Sequence, residues 1–142
     1  MKWKAGENTH ENLIYVCSGG LSNTGLTAIL AGIEVVKQLG LERVGIGCLA
    51  ALPSEVGPVI GKTNAANKVV TVDGCPMRCS RKIVENAGFG IASSIVLTED
   101  IGMKKKALHE DIGGDLKPVM DYILPEDVAK ATELIAEAIE GD

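Results

Sequence analysis

The sequence predicts a doubly wound α/β domain of the Rossmann or flavodoxin-like three-layer type, built on a mainly parallel sheet. Three observations predict it. Short β-branched runs alternate with helical patterns at roughly 25 to 30 residue intervals, which implies parallel strands joined by right-handed crossovers. Each of the first three runs leads into a cysteine within a few residues, at Cys17, Cys48 and Cys75, so the cysteines share the carboxyl edge of the predicted sheet. With 142 residues and 46% hydrophobic composition, the chain can bury one sizeable core, so residues 1–142 read as a single domain.

Taken in order, residues 1–12 are polar and read as an exposed arm or edge segment in which His10 is solvated rather than a ligand. Residues 13–16 (LIYV) are the first strand, running into Cys17-Ser18-Gly19-Gly20. Residues 27–39 place Ile29, Leu30, Ile33, Val36 and Leu39 at helical spacing, and Gly40 supplies a stop. Residues 43–47 (RVGIG) are the second strand, ending at Cys48. The small-residue stretch 53–66 reads as partly helical, with limits blurred by Gly57, Pro58 and Gly61. The third strand, residues 68–73, stops at the Asp73-Gly74 turn before Cys75. Pro76 fits the first position of a helix, which predicts one from Met77 to about Gly88 with Cys75 and Cys79 on its first turn. Residues 92–97 are the fourth strand.

Residues 99–124 resist a regular reading because Gly102, Gly113, Gly114 and Pro118 interrupt any long helix. A polar surface connection is the expectation, with a flap carrying His109, Glu110 and Asp111 over the strand edge as the alternative. Pro125 then opens a helix with Glu126 and Asp127 in its first turn and Val128, Ala131, Leu134, Ile135, Ala138 and Ile139 on one face.

Charge narrows the partners. A net charge of -5 and the absence of any basic run beyond Lys104, Lys105 and Lys106 argue against nucleic acid or an anionic membrane as partner. No secretory signal is visible, and no apolar run reaches the roughly 20 residues of a spanning helix, so the expectation is cytoplasmic. In a reducing compartment, cysteines at turns point to metal or redox chemistry rather than to structural disulfides.

Ligands of doubly wound sheets bind beyond the carboxyl ends of the strands, where strand order reverses. If the first strand lies between the second and third, adjacent backbones are about 4.8 Å apart, and Cys17, Cys48, Cys75 and Cys79 can converge. Four cysteinates are the ligand set of a closed zinc site and equally of an iron–sulfur cluster. Arg78, Arg81 and the helix N-termini would offset their negative charge. A third chemistry is thiol redox or nucleophilic attack. Cys75 to Arg81 formally matches C-x5-R, but it lacks the usual internal glycine, and Pro76 removes one N–H from the anion cradle.

Two phosphate-loop signals are weaker. Gly57 to Thr63 is one residue short of a Walker A loop. Gly19 to Gly25 lies between a strand and a helix and could take an anion at the helix N-terminus. It reads equally well as a tight turn with an N-cap from Ser22, Asn23 or Thr24.

Three ordered motifs, Cys17-Ser18-Gly19-Gly20 with Ser22-Asn23-Thr24-Gly25, then Cys48-Leu49-Ala50, then Asp73-Gly74-Cys75-Pro76-x-x-Cys79, resemble the DGC-domain family, named for its Asp-Gly-Cys triplet. The resemblance covers roughly residues 13–101. It implies a zinc-binding protein with Cys17, Cys48, Cys75 and Cys79 as ligands, and it implies no defined reaction. The expectation is therefore a zinc-binding α/β domain, with an iron–sulfur or thiol-redox protein as the alternative. Ser18, Gly19, Gly20, Ser22, Asn23, Asp73, Arg78 and Arg81 are the candidate residues for orienting the thiolates or holding a small anion. A metal ion is the expected partner, with a small anion or a protein as further candidates.

Overall fold

The computed structural model describes residues 2–141. Among these, four parallel strands form one sheet: β1 (Asn12–Val16), β2 (Val44–Ile46), β3 (Lys68–Asp73) and β4 (Ser93–Val96), in the order β2-β1-β3-β4. Asn12 stands opposite Val44 on one side and Lys68 on the other, so β1 is central. The order reverses between β1 and β3, which makes their carboxyl ends the switch point of a doubly wound sheet. β1 and β3 are buried along almost their whole length, as expected for parallel strands covered on both faces.

Side-chain alternation divides the core into two. Ile14, Val16, Val70 and Val72 face α1 (Asn23–Leu39) and α5 (Pro125–Glu140). Leu13, Tyr15 and Val69 face α2 (Gly57–Ala65) and α3 (Cys79–Asn86), together with Leu52 and Val84. In this second core Tyr15 donates its hydroxyl proton to Thr63 Oγ1 at 2.6 Å, because the Thr63 hydroxyl is already donating to the Val59 carbonyl. At the amino edge, Arg43 joins Glu11 (3.0 Å) to Glu140 (2.6 Å), and Lys68 donates to the carbonyls of Ile139 and Gly141. The end of α5 is thereby tied to the sheet.

Most boundaries shift by a residue or a few, and two shifts bear on the site. α1 starts at Asn23, one turn earlier than its apolar spacing begins, because Ser22 accepts the Gly25 N–H at 3.0 Å and caps it. α3 starts at Cys79 rather than Met77. Arg78 adopts a left-handed conformation (φ 53°, ψ 48°), so Pro76 and Met77 lie in a turn and Cys75 is not helical. The 99–124 region contains the last residues of the single turn α4 (Leu97–Asp100) and two 3-10 turns, Leu108–Asp111 and Val119–Tyr122. Among the described residues no helix is long and apolar enough to cross a membrane.

Candidate metal centre at the switch point

Cys17 directly follows β1, and its N–H bonds to the Val72 carbonyl at 3.2 Å, extending the β1–β3 ladder by one residue. The chain then turns sharply through Gly19 (φ +67°) and Leu21 (φ +59°) into the Ser22 cap. A Cβ on Gly25 would overlap the Ser18 carbonyl, and one on Gly74 would meet Thr24 Oγ1 at 2.7 Å and the Gly25 nitrogen at 2.9 Å. The loop after β3 therefore rests against the first turn of α1, and only glycine permits that approach.

Asp73 is 1% exposed, and its carboxylate accepts the N–H groups of Ser80 at 2.8 Å and Arg81 at 3.3 Å. Its negative charge sits on the positive end of α3. This bond pair places the helix start at Cys79 and leaves the first-turn amides engaged by the chain's own carboxylate. Arg78, turned outward, donates to Glu99 at 3.0 Å.

A segment absent from the sequence-based site completes it. The chain from Lys104 to Leu108 forms a strap across the loop after β1. Asn23 donates from its backbone to the Lys106 carbonyl (3.0 Å) and from its amide side chain to the Lys104 carbonyl (2.9 Å). Its side-chain oxygen accepts the Lys106 N–H at 2.7 Å, and Leu108 N–H bonds to the Leu21 carbonyl at 3.0 Å. Thus held, Lys105 donates from Nζ to Cys75 Sγ at 3.6 Å. The three-lysine run gave no sign of which lysine would face the site, since the choice depends on Asn23 fixing the residues on either side. Further along, Asp111 accepts from Tyr122 at 2.7 Å and pairs with Lys106 at 2.9 Å, while His109 belongs to the adjoining 3-10 turn.

Between these elements lies a cavity of about 260 Å³ lined by the side chains of Cys17, Cys75, Cys79, Met77 and Lys105. Gly19, Gly20, Ser22, Asp73 and Arg78 also border it; Ser18, Asn23, Arg81 and Cys48 do not. Arg81 instead pairs with Glu85 at 2.6 Å. Cys48 is exposed at the start of a 3-10 turn, Leu49–Ala51. All four cysteines are free thiols. Burial pushes the Cys17 thiol above its ordinary pKa, as do the nearby Cys79 and Asp73, while the Gly19 N–H works in the opposite direction.

Zinc fits this cavity in the kind of donor it offers, since three thiols with cationic groups beside them suit a thiophilic ion. Among the described residues, no three Cys, His, Asp or Glu side chains are already gathered as closely as a bound ion requires. Loading would have to bring the thiols closer together.

No curated protein and no solved structure matches this sequence. The family model of the DGC domain matches residues 13–121, which takes in every cysteine and the strap as well as the sheet. The Asp-Gly-Cys triplet is thus at once a helix cap, a close-packed turn and a cavity thiol, and the chain belongs to the DGC-domain family.

Proposed function

We propose that this protein binds a thiophilic metal ion, zinc foremost, at the cysteine-lined cavity beyond the carboxyl ends of β1 and β3. One observation carries the reading: thiols from three separate segments, the end of β1, the turn after β3 and the first residue of α3, line a single cavity. Cys17 and Cys75 are only half-buried and Cys79 is exposed, so service as small apolar core side chains does not account for their sharing one cavity at a switch point. Lys105 and Arg78 on the rim supply positive charge against the negative charge of metal-bound thiolates.

A second reading, dithiol redox chemistry at the same place, is favoured by Cys17 and Cys79 bordering one cavity, near enough for Cys79 to help raise the Cys17 pKa. Elemental analysis of anaerobically purified protein, alongside Cys75→Ser and with free thiols counted on both, separates the readings. Near-stoichiometric zinc lost in the variant is the expected result. Iron with acid-labile sulfide would transfer the site to electron transfer, and metal-free protein whose cysteines all react as free thiols would overturn metal binding.

A further inference from the structure

Resting on the dithiol reading, we propose that Cys17 and Cys79 form a reversible disulfide by exchange with a small external disulfide, Cys79 being the thiol that attacks and Cys17 the one that closes the bond. Cys75, although it borders the same cavity, stays outside the pair.

The sheet and the cap of α3 carry the pairing. Side chains alternate along β3, so Val70 and Val72 face α1 and α5 while Val69 and Asp73 face α3. Cys17 continues the alternation of β1: Val16 faces α1, and the Cys17 N–H stays on the ladder through the Val72 carbonyl at 3.2 Å, which brings the Cys17 thiol to the Asp73 side of the sheet. Asp73 holds the amides of Ser80 and Arg81, and so anchors the start of α3, with Cys79 as its first residue, on that same side. The electrostatics agree. After burial, Cys79 and Asp73 are the groups that push the Cys17 pKa up, whereas Cys48 adds to the rise that burial causes at Tyr15.

Cys75 is drawn the other way. Gly74 rests against Thr24 and Gly25 in the first turn of α1, on the opposite face of the sheet, and the strap bound to Asn23 brings Lys105 Nζ to Cys75 Sγ at 3.6 Å. Exposure sets the order of attack within the pair. Cys79 is exposed and Cys17 half-buried, so an external disulfide meets Cys79 first. The Cys79 thiolate attacks one sulfur of that disulfide; a mixed disulfide forms and the other sulfur leaves as a thiolate. Cys17 then attacks the Cys79 sulfur and gives up its proton, and the second external sulfur leaves as a thiol. Two electrons pass from the protein to the external disulfide, which ends as two thiols.

The test adds glutathione disulfide to the reduced whole chain with a chelator present, quenches with iodoacetamide and maps the peptides. The expected product has Cys17 joined to Cys79 within one chain, is reversed by dithiothreitol, and leaves Cys48 and Cys75 open to iodoacetamide. Cys17→Ser should stop with glutathione held on Cys79. A bond from Cys75 to Cys79, or from Cys17 to Cys48, in place of the expected one would overturn this pairing and leave the dithiol reading standing. Glutathione held on Cys17 in Cys79→Ser but absent from Cys79 in Cys17→Ser would overturn the order of attack. Wild type whose thiols stay free, or carry only glutathione, under excess glutathione disulfide would overturn this proposal and the dithiol reading together.

Discussion

Asp73 shows how much one side chain can organise. From the sequence it is a polar neighbour of Cys75; in the fold it is a buried carboxylate whose two oxygens take the first amides of α3. Removing it leaves two N–H groups without their acceptor, at a cost of about 1–3 kcal/mol. Asp73→Ala should therefore lower the urea midpoint with little change in slope. It should also speed hydrogen exchange at the Ser80 amide, and an unchanged rate there would show that the cap is dispensable. The capping role was not legible in advance because Asp73 and the amides it binds are joined only by the turn through Arg78, whose left-handed conformation no local pattern announces. Gly74 and Gly25 were equally opaque. Their necessity comes from loops distant in sequence meeting face to face. The cysteines were legible as a group because strand-then-cysteine recurs, and three of them do share a cavity.

Among elements, the strands and the two long helices followed from their patterns, since short β-branched runs ended by turns mark strands buried on both faces and a 3.6-residue apolar spacing marks a helix with one buried face. The strap did not. Its residues show no periodicity, and it is held by bonds to Asn23 and Leu21 together with the single buried side chain of Leu108. That mode of attachment sets its energetics. Two side-chain hydrogen bonds are worth about 0.5–1.5 kcal/mol each, so Asn23→Ala should loosen the strap, which keeps its backbone bonds to residues 21 and 23, without unfolding the sheet. Hydrogen exchange is expected to rise at Lys106 and Leu108 while β1 and β3 amides stay protected. Equal acceleration at all of these sites would mean the strap and sheet open as one unit. Pro76 is the opposite lesson: a residue well suited to the first helical position stands three residues before the actual start, because the carboxylate that caps α3 comes from Asp73, before the proline, and takes the amides of Ser80 and Arg81.

At the scale of the whole molecule, the raised pKa of Cys17 couples stability to pH. Burial favours its neutral thiol, so the native state keeps this proton to higher pH than the unfolded chain does. Its contribution is fully present below the ordinary thiol pKa of about 8.5 and is lost as pH rises from there through the raised native value. Metal-free protein should lose more stability between pH 8 and pH 10 than Cys17→Ser does, measured by urea unfolding under reductant. Parallel losses in the two proteins would remove Cys17 as the cause. The sheet order has a consequence for how the molecule comes into being. β1 emerges first from the ribosome, yet it is the central strand, and Asn12 finds its partners only at Val44 and Lys68. β1 stays unpaired until β2 has followed it, and open along one edge until β3 has. Such non-local pairing slows folding and exposes strand edges to aggregation meanwhile, so nascent chains stalled before β3 are where chaperone dependence should concentrate.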